Sequence, residues 1–285
     1  MIPGALLAEL DSVSGIVSRP AEPMTRHTTL RVGGTAELWI VAETAEAVAR
    51  VASLCKAHGT KLNYFGASHV LVRDGGLEGV WLRLGSVGLG VHEVEEGIEV
   101  GASHPVAALH AWMCSNDVPP IPYLKGRSGT VLEAYQAGLL AAWVSYCVVL
   151  RGTRVTSLPP EKHSEKQPLL RLGLLRTPRP VEEAQGQLRL LPEQIQALGM
   201  PGRIVDDPPN EDAALLIREA GLCGVRLRGA RIGHIESNAM INLGESTESD
   251  LWLLIQMIRD RVRLHSGIRL QPSLRRLGSG KVHHG

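Results

Sequence analysis

Apolar positions recur at helical spacing most clearly in two stretches. Between Thr44 and His58, the residues Ala47, Val48, Val51, Ala52, Leu54 and Cys55 share one face, which predicts an amphipathic helix. Glu43 and Glu46 suit its positive end, Lys56 and His58 its negative end, and Gly59 the position just beyond. From Ser249 to His265 the face is Leu251, Leu254, Ile255, Ile258 and Val262, opened by a Thr247/Asp250 capping pair and closed by Gly267. Two further helices are predicted at His104–Asn116, stopped by Pro119 and Pro120, and at Glu211–Ala220, capped by Asn210 and ended by Gly221. Strands are predicted at Ala36–Val41, Leu62–Phe65, Val80–Leu84, Ile98–Gly101 and Trp143–Arg151, then near Gly224–Arg228 and Asn238–Leu243.

The β-α-β order up to Gly85 implies a small α/β lobe. Residues 1–20 read as a short helix and a lead-in. Leu158–Gly202 is rich in proline turns, and a linker is expected near 185–203. The stretch Gly85–Gly90 reads as a loop, and residues 279–285 as a flexible tail in which His283 and His284 are solvated.

Composition narrows the function. Thirty Lys+Arg against 29 Asp+Glu give a net charge of +1, which argues against a nucleic-acid binder. Hydrophobic content of 44% and charged content of 21% are those of a globular protein rather than a disordered one. Only 4% is aromatic, with Phe65 the single phenylalanine, so stacking platforms for single strands are disfavoured. Cys55, Cys114, Cys147 and Cys223 form no C-x-x-C pair and read as buried, reduced thiols. None of the eleven histidines has metal-ligand spacing; His104 and His110 lie six apart, so no metal is expected. The N-terminus lacks a signal-peptide pattern, and the longest apolar run, Gly138–Leu150, is too short to span a bilayer, so a cytoplasmic protein without a membrane segment is expected.

Two motifs carry chemistry. Thr28-Thr29-Leu30-Arg31-Val32-Gly33-Gly34 precedes Ala36-Glu37-Leu38, and its paired glycines allow a tight turn. Phe65-Gly66-Ala67-Ser68-His69-Val70-Leu71-Val72-Arg73-Asp74-Gly75-Gly76 places small residues after a strand, where backbone N–H groups are offered to an anion such as a pyrophosphate. In the C-terminal half, Leu216-Ile217-Arg218-Glu219-Ala220-Gly221-Leu222-Cys223-Gly224 is followed by Gly229-Ala230, Asn238, Ile241-Asn242, Gly244 and Leu270-Gln271-Pro272. In order and spacing, over residues 20–278, these resemble the UDP-N-acetylenolpyruvoylglucosamine reductase (UDP-N-acetylmuramate dehydrogenase) family.

The resemblance implies an α/β (α+β) flavoprotein: a two-lobed FAD-binding domain at 21–200, with lobes about 21–90 and 91–200, then a smaller α+β substrate-binding domain at 203–278. It implies NADPH-driven reduction of the enolpyruvyl group of a UDP-sugar in peptidoglycan synthesis, and so a part in cell-wall biogenesis, cell shape and division, by a monomer. Hydride passes from flavin N5 to the vinyl carbon; the neighbouring carbon becomes enolate-like and is protonated. The cofactor-binding positions carried over are Thr29, Gly33, Gly34, Gly66, Ser68, Gly129 and Thr130.

The chain departs from the family pattern at the site. Phe65, Ala67 and His69 replace two glycines and an asparagine of the pyrophosphate loop. Gly126, Gly129, Thr130, Val131 and Ala134 match, but Leu132-Glu133 replaces the double glycine that lies against the flavin, and the following M-N-A-G is shortened to Ala137-Gly138. The family's Tyr-Arg-x-Ser aligns with Glu161-Lys162-His163-Ser164, its proton-donating Ser or Cys with Arg203, and its catalytic Glu with Ser273. Lys162 is a cation without arginine's bidentate fork, Arg203 can stabilise an enolate but not donate a proton, and Ser273 can relay one. FAD is therefore expected to bind more weakly than in a typical member. The alternative expectation is a non-catalytic homologue that keeps the fold as a nucleotide-sugar-binding or interaction protein.

Overall fold

A computed structural model of the chain describes residues 2–66, 70–125, 129–136, 138–152, 154–164, 167–179 and 204–279. The expected linker at 185–203 and the tail histidines His283 and His284 lie outside them. The chain forms two compact units. One comprises Met1–Pro20, Glu37–Ala67 and Gly79–Gln196; the other comprises Ala21–Ala36, Ser68–Glu78 and Ala197–Gly285. Two early segments, Ala21–Ala36 and Ser68–Glu78, are thus grouped with the C-terminal part.

The first unit opens with α1 (Gly4–Asp11) and β1 (Ile16–Pro23), which runs on past the unit's edge. Leu6 and Leu10 of α1 are fully buried, so residues 1–20 are part of the core rather than a lead-in. β2 (Thr35–Ala42), α2 (Ala45–Ala57), β3 (Leu62–Phe65), β4 (Val70–Val72) and β5 (Leu77–Leu84) follow in the chain, and of these β4 belongs to the second unit. One sheet has the order β1-β2-β5-β3, and β3 runs parallel to β5 with Leu62 opposite Val80. Along β2 the alternation of side chains turns Leu38 and Ile40 toward α2 and Trp39 to the opposite face, where it meets Phe65 edge-on at 5.1 Å. Thr44 caps α2 by accepting from the Ala47 amide.

The second sheet is antiparallel and built from β6 (Val91–Val94), β7 (Gly97–Gly101), β8 (Val144–Arg151), β9 (Arg154–Leu158) and β10 (Leu169–Leu175), in the order β6-β7-β10-β8-β9. Its core is closed by α3 (Val106–Ser115) and α4 (Val131–Gln136). α3 starts after His104 because Pro105 holds its cap position in an extended conformation. The loop Gly85–Gly90 contains a 3-10 turn at Ser86–Gly88.

In the second unit, α5 (Ala213–Glu219) is capped by Asp212, not by Asn210, which sits in a left-handed turn at φ +60°. Strands β11 (Arg226–Leu227), β12 (Ala230–Ile232) and β13 (Met240–Asn242) form an antiparallel sheet under α6 (Glu248–Ser266). The last strand, β14 (Arg275–Leu277), runs parallel to β4, with Arg275 opposite Val70 and Leu277 opposite Val72. That pairing, and the burial of Val32 and Leu71 in one core with α5 and α6, draws the early segments into this unit. No helix among the described residues is long and apolar enough to cross a membrane. Of the cysteines, Cys55 and Cys147 are buried, Cys223 half-buried and Cys114 exposed, so the expectation of four buried thiols fails at the last two.

Candidate functional site

In the first unit the chain after β3 and the start of α4 meet. The Leu132 Cδ2 atom lies 3.0 Å from where a Cβ on Gly66 would stand, so a larger residue at 66 would have to push this leucine aside. Phe65 is buried between Trp39 and Trp81, on the sheet face away from α2. The α4 entrance is fastened to the segment after β7. Val106 donates to the Gly129 carbonyl, Val131 to that of His104 and Leu132 to that of Ala102.

Thr130 and Glu133 form a complete capping box. The Thr130 amide and hydroxyl donate to Glu133 Oε2 at 2.8 and 3.2 Å, and the Glu133 amide donates to Thr130 Oγ1 at 3.3 Å. Thr-x-x-Glu at this spacing is readable in sequence, although a residue set against a flavin does not suggest it.

Lys162, itself exposed, ends a 3-10 turn, Pro160–Lys162, whose first residue is buried, in the same unit. Its neighbour His163 ties this turn to α4. The Tyr135 hydroxyl lies 3.3 Å from His163 Nδ1, the rings lie 5.4 Å apart, and Cys147 Sγ donates to the Tyr135 oxygen at 3.5 Å. Burial, and secondarily the bond from Cys147, push the Tyr135 phenol well above its ordinary pKa; burial also raises the Cys147 thiol. This cluster spans 28 residues of sequence and left no pattern to read.

In the second unit the turn Thr28–Gly34 is held by its own bonds. Thr28 Oγ1 donates to the Val32 carbonyl at 2.8 Å and accepts from the Val32 amide at 3.2 Å. Gly33 has φ +118°, and a Cβ there would stand 2.7 Å from the Val72 carbonyl oxygen; one on Gly34 would stand 2.3 Å from that of Asp74. The chain's own close packing thus requires both glycines.

Ser273 is half-buried in this unit, and its amide donates to the Ile204 carbonyl at 3.1 Å. Val205 bridges to Pro272. The buried Asn238 accepts from the Ile204 and Val205 amides at 3.2 and 3.0 Å and donates to the Val205 carbonyl at 2.8 Å. Asn238 is therefore the residue that fixes the chain where it emerges beside Ser273. Arg203 and Ser68 lie outside the described residues, as do Ala67 and His69. Asp207 accepts from the Ala213 amide at 3.0 Å. Among the described residues no three His, Cys, Asp or Glu side chains are grouped to hold a metal.

The residues around Gly66 fit a dinucleotide conditionally. The Thr130 amide and hydroxyl are already engaged by an anionic oxygen, that of Glu133. The atom pressed against Gly66 is the far end of a flexible side chain. A flavin dinucleotide is therefore accommodated if Glu133 and Leu132 turn away, at a cost in affinity.

Residues 194–277 match the family described as UDP-N-acetylenolpyruvoylglucosamine reductase, C-terminal domain. Over 302 aligned positions the chain is 28% identical to the UDP-N-acetylenolpyruvoylglucosamine reductase of Myxococcus xanthus, with 96% of each chain covered. It is 27% identical to UDP-N-acetylenolpyruvoylglucosamine reductase 1 of Bacillus anthracis, with 90% of this chain and 93% of that one covered. Its fold is that of the crystal structure of UDP-N-acetylenolpyruvylglucosamine reductase from Thermus caldophilus, with a TM-score of 0.68 over 92% of this chain and 99% of the other, at 21% identity.

Proposed function

Because the chain is a member of the UDP-N-acetylenolpyruvoylglucosamine reductase family, we propose that it reduces the enolpyruvyl group of a UDP-sugar with NADPH, as a cytoplasmic monomer serving peptidoglycan synthesis. The observation that carries this reading is the length of the likeness, which runs through both units rather than one. FAD, when bound, supplies the hydride chemistry, and Gly66, Gly129 and Thr130 are the described residues of the first unit offered to hold it. The protein's own task is then charge and one proton. Lys162, exposed and held beside α4 through His163, is the cation proposed for the developing enolate. Arg203 is a second cation for that charge. Ser273, its backbone pinned to Ile204, is proposed to relay the proton from water.

The test is NADPH consumption with UDP-N-acetylglucosamine enolpyruvate after incubation with FAD. Turnover far below the family norm is expected. Arg203→Ser with Ser273→Glu, which restores the family's residue types, should raise it about 10²–10⁴-fold if flavin is bound. Family-like turnover that survives both Arg203→Ala and Ser273→Ala would overturn these site assignments.

A second reading, a non-catalytic homologue, is favoured by one observation: Leu132 presses on Gly66, and Glu133 engages the Thr130 amide and hydroxyl, so both residues offered to FAD are already occupied by the chain itself. Protein that takes up no FAD and consumes no NADPH would support it.

A further inference from the structure

In the second unit, the C-terminal half of α6 and the segment after it form a cleft of about 240 Å³, lined by Arg259, Asp260, Arg263, Arg269 and Leu270. That volume falls below the range of nucleotide-sized and drug-sized sites, so the cleft fits a small ligand. Three guanidiniums share it with one carboxylate, an excess of two positive charges.

Local structure does not call for this arrangement. Arg259 and Arg263 stand one turn apart on α6, where like charges oppose the helix. The negative end of the helix favours cations in its last turn, which accounts for Arg263. It accounts neither for Arg259, further back along the helix, nor for Arg269, beyond its end. The chain does not match these charges either. Half-buried Arg259 is oriented by two neutral oxygens: its Nε donates to the Leu270 carbonyl at 2.9 Å and its Nη1 to Gln256 Oε1 at 2.9 Å. The exposed Arg263 and Arg269 side chains make no ion pair or hydrogen bond among the described residues, and neither does that of Asp260. One guanidinium is thus fixed in place with its Nη2 group unspent, and two more are free to close on an anion that enters.

A monoanion would neutralise half of the excess charge. A tetrahedral dianion neutralises all of it and offers several oxygens to the three forks. We propose that this cleft binds a phosphoryl dianion, with Arg259 as the preset contact and Arg263 and Arg269 as the closing ones. The site shares no residue with those assigned to reduction and does not depend on that reading.

The test is calorimetric titration of the full chain with inorganic phosphate at constant ionic strength, with malonate as a dianion of different shape. Arg263→Gln and Arg269→Gln should each weaken phosphate about 10-fold, and the two together about 30–100-fold. Both side chains are exposed and unbonded, so Tm should move by less than about 2 °C. Arg263→Lys with Arg269→Lys, which keeps the charge and loses the forks, should fall between. Phosphate affinity unchanged in the chain carrying both glutamine substitutions overturns the proposal, whatever other phosphate site the chain holds. So does a wild-type chain that takes up no phosphate, or one that takes malonate as tightly. Flotation with phosphatidylcholine vesicles containing phosphatidic acid then names the source of the phosphoryl group. Retention that the two glutamine substitutions abolish upholds the site for a lipid headgroup; no retention, with phosphate bound, upholds it for a soluble phosphate.

Discussion

Two helices of this protein begin with the same device, and they use it differently. α4 opens on Thr130 and Glu133, α6 on Thr247 and Asp250, and in each the threonine hydroxyl and the acid exchange bonds with the other's amide. At α6 the box is one layer of several. Asp74, 174 residues earlier, accepts from the Glu248 and Ser249 amides at 2.8 and 3.1 Å. The buried Glu248 receives both Arg276 Nε at 2.7 Å and Nη2 at 2.9 Å, and that guanidinium lies 4.3 Å from the Trp252 ring centre. At α4 the helix spans only Val131–Gln136, and the box occupies the stretch that the resemblance aligns with a double glycine of the family pattern. One box is tied to a distant segment of its unit; in the other, the threonine and the acid satisfy each other.

The comparison can be broken first at Arg276. Arg276→Ala leaves the Glu248 carboxylate buried without its partner, and should cost about 3–5 kcal/mol of stability in urea unfolding. A loss below 1 kcal/mol would show that water reaches Glu248. Asp74→Ala removes two amide bonds and the Ser249 hydroxyl's bond at the helix end, and a loss of about 2 kcal/mol is expected in the same measurement.

Glu133→Ala separates the two roles. It should cost about 1 kcal/mol of stability through the lost cap, yet tighten FAD about tenfold, read by quenching of flavin fluorescence. Leu132→Gly combined with Glu133→Gly should tighten it further. Wild-type protein that stays yellow through extended dialysis would contradict both the weak-binding expectation and this account of Glu133.

The smallest effect is a pH dependence. Hydrogen bonds from Thr247, then the Arg228 charge, hold the Asp250 carboxyl below its ordinary pKa. Its contribution is therefore present above the unfolded carboxyl value near 4 and is lost as pH falls through the lower folded value. Asp250→Asn should flatten that part of the acid-unfolding profile and leave stability unchanged in slope above pH 5.

What the sequence determined by itself is local. α2 and α6 were legible with their caps because both the apolar repeat and the capping residues lie within a few positions of each other. Phe65 could be seen as an intruder in a glycine-rich loop, but not that β3 turns its ring onto Trp39. Asn210 was a reasonable cap, yet Asp212 holds the position, since two candidates two residues apart differ only in backbone angles set by the fold. The order of the family motifs was legible too, and with it the fold class.

Only the tertiary structure decided that β4 pairs with β14, that Asp74 caps α6, that Asn238 pins Ile204 beside Ser273, and that Leu132 presses on Gly66. Each joins residues dozens to hundreds of positions apart. A short strand such as Val70–Val72 carries too few residues to declare its partner. Burial and hydrogen-bond satisfaction act on whatever the chain brings into reach, and reach is set by the whole fold.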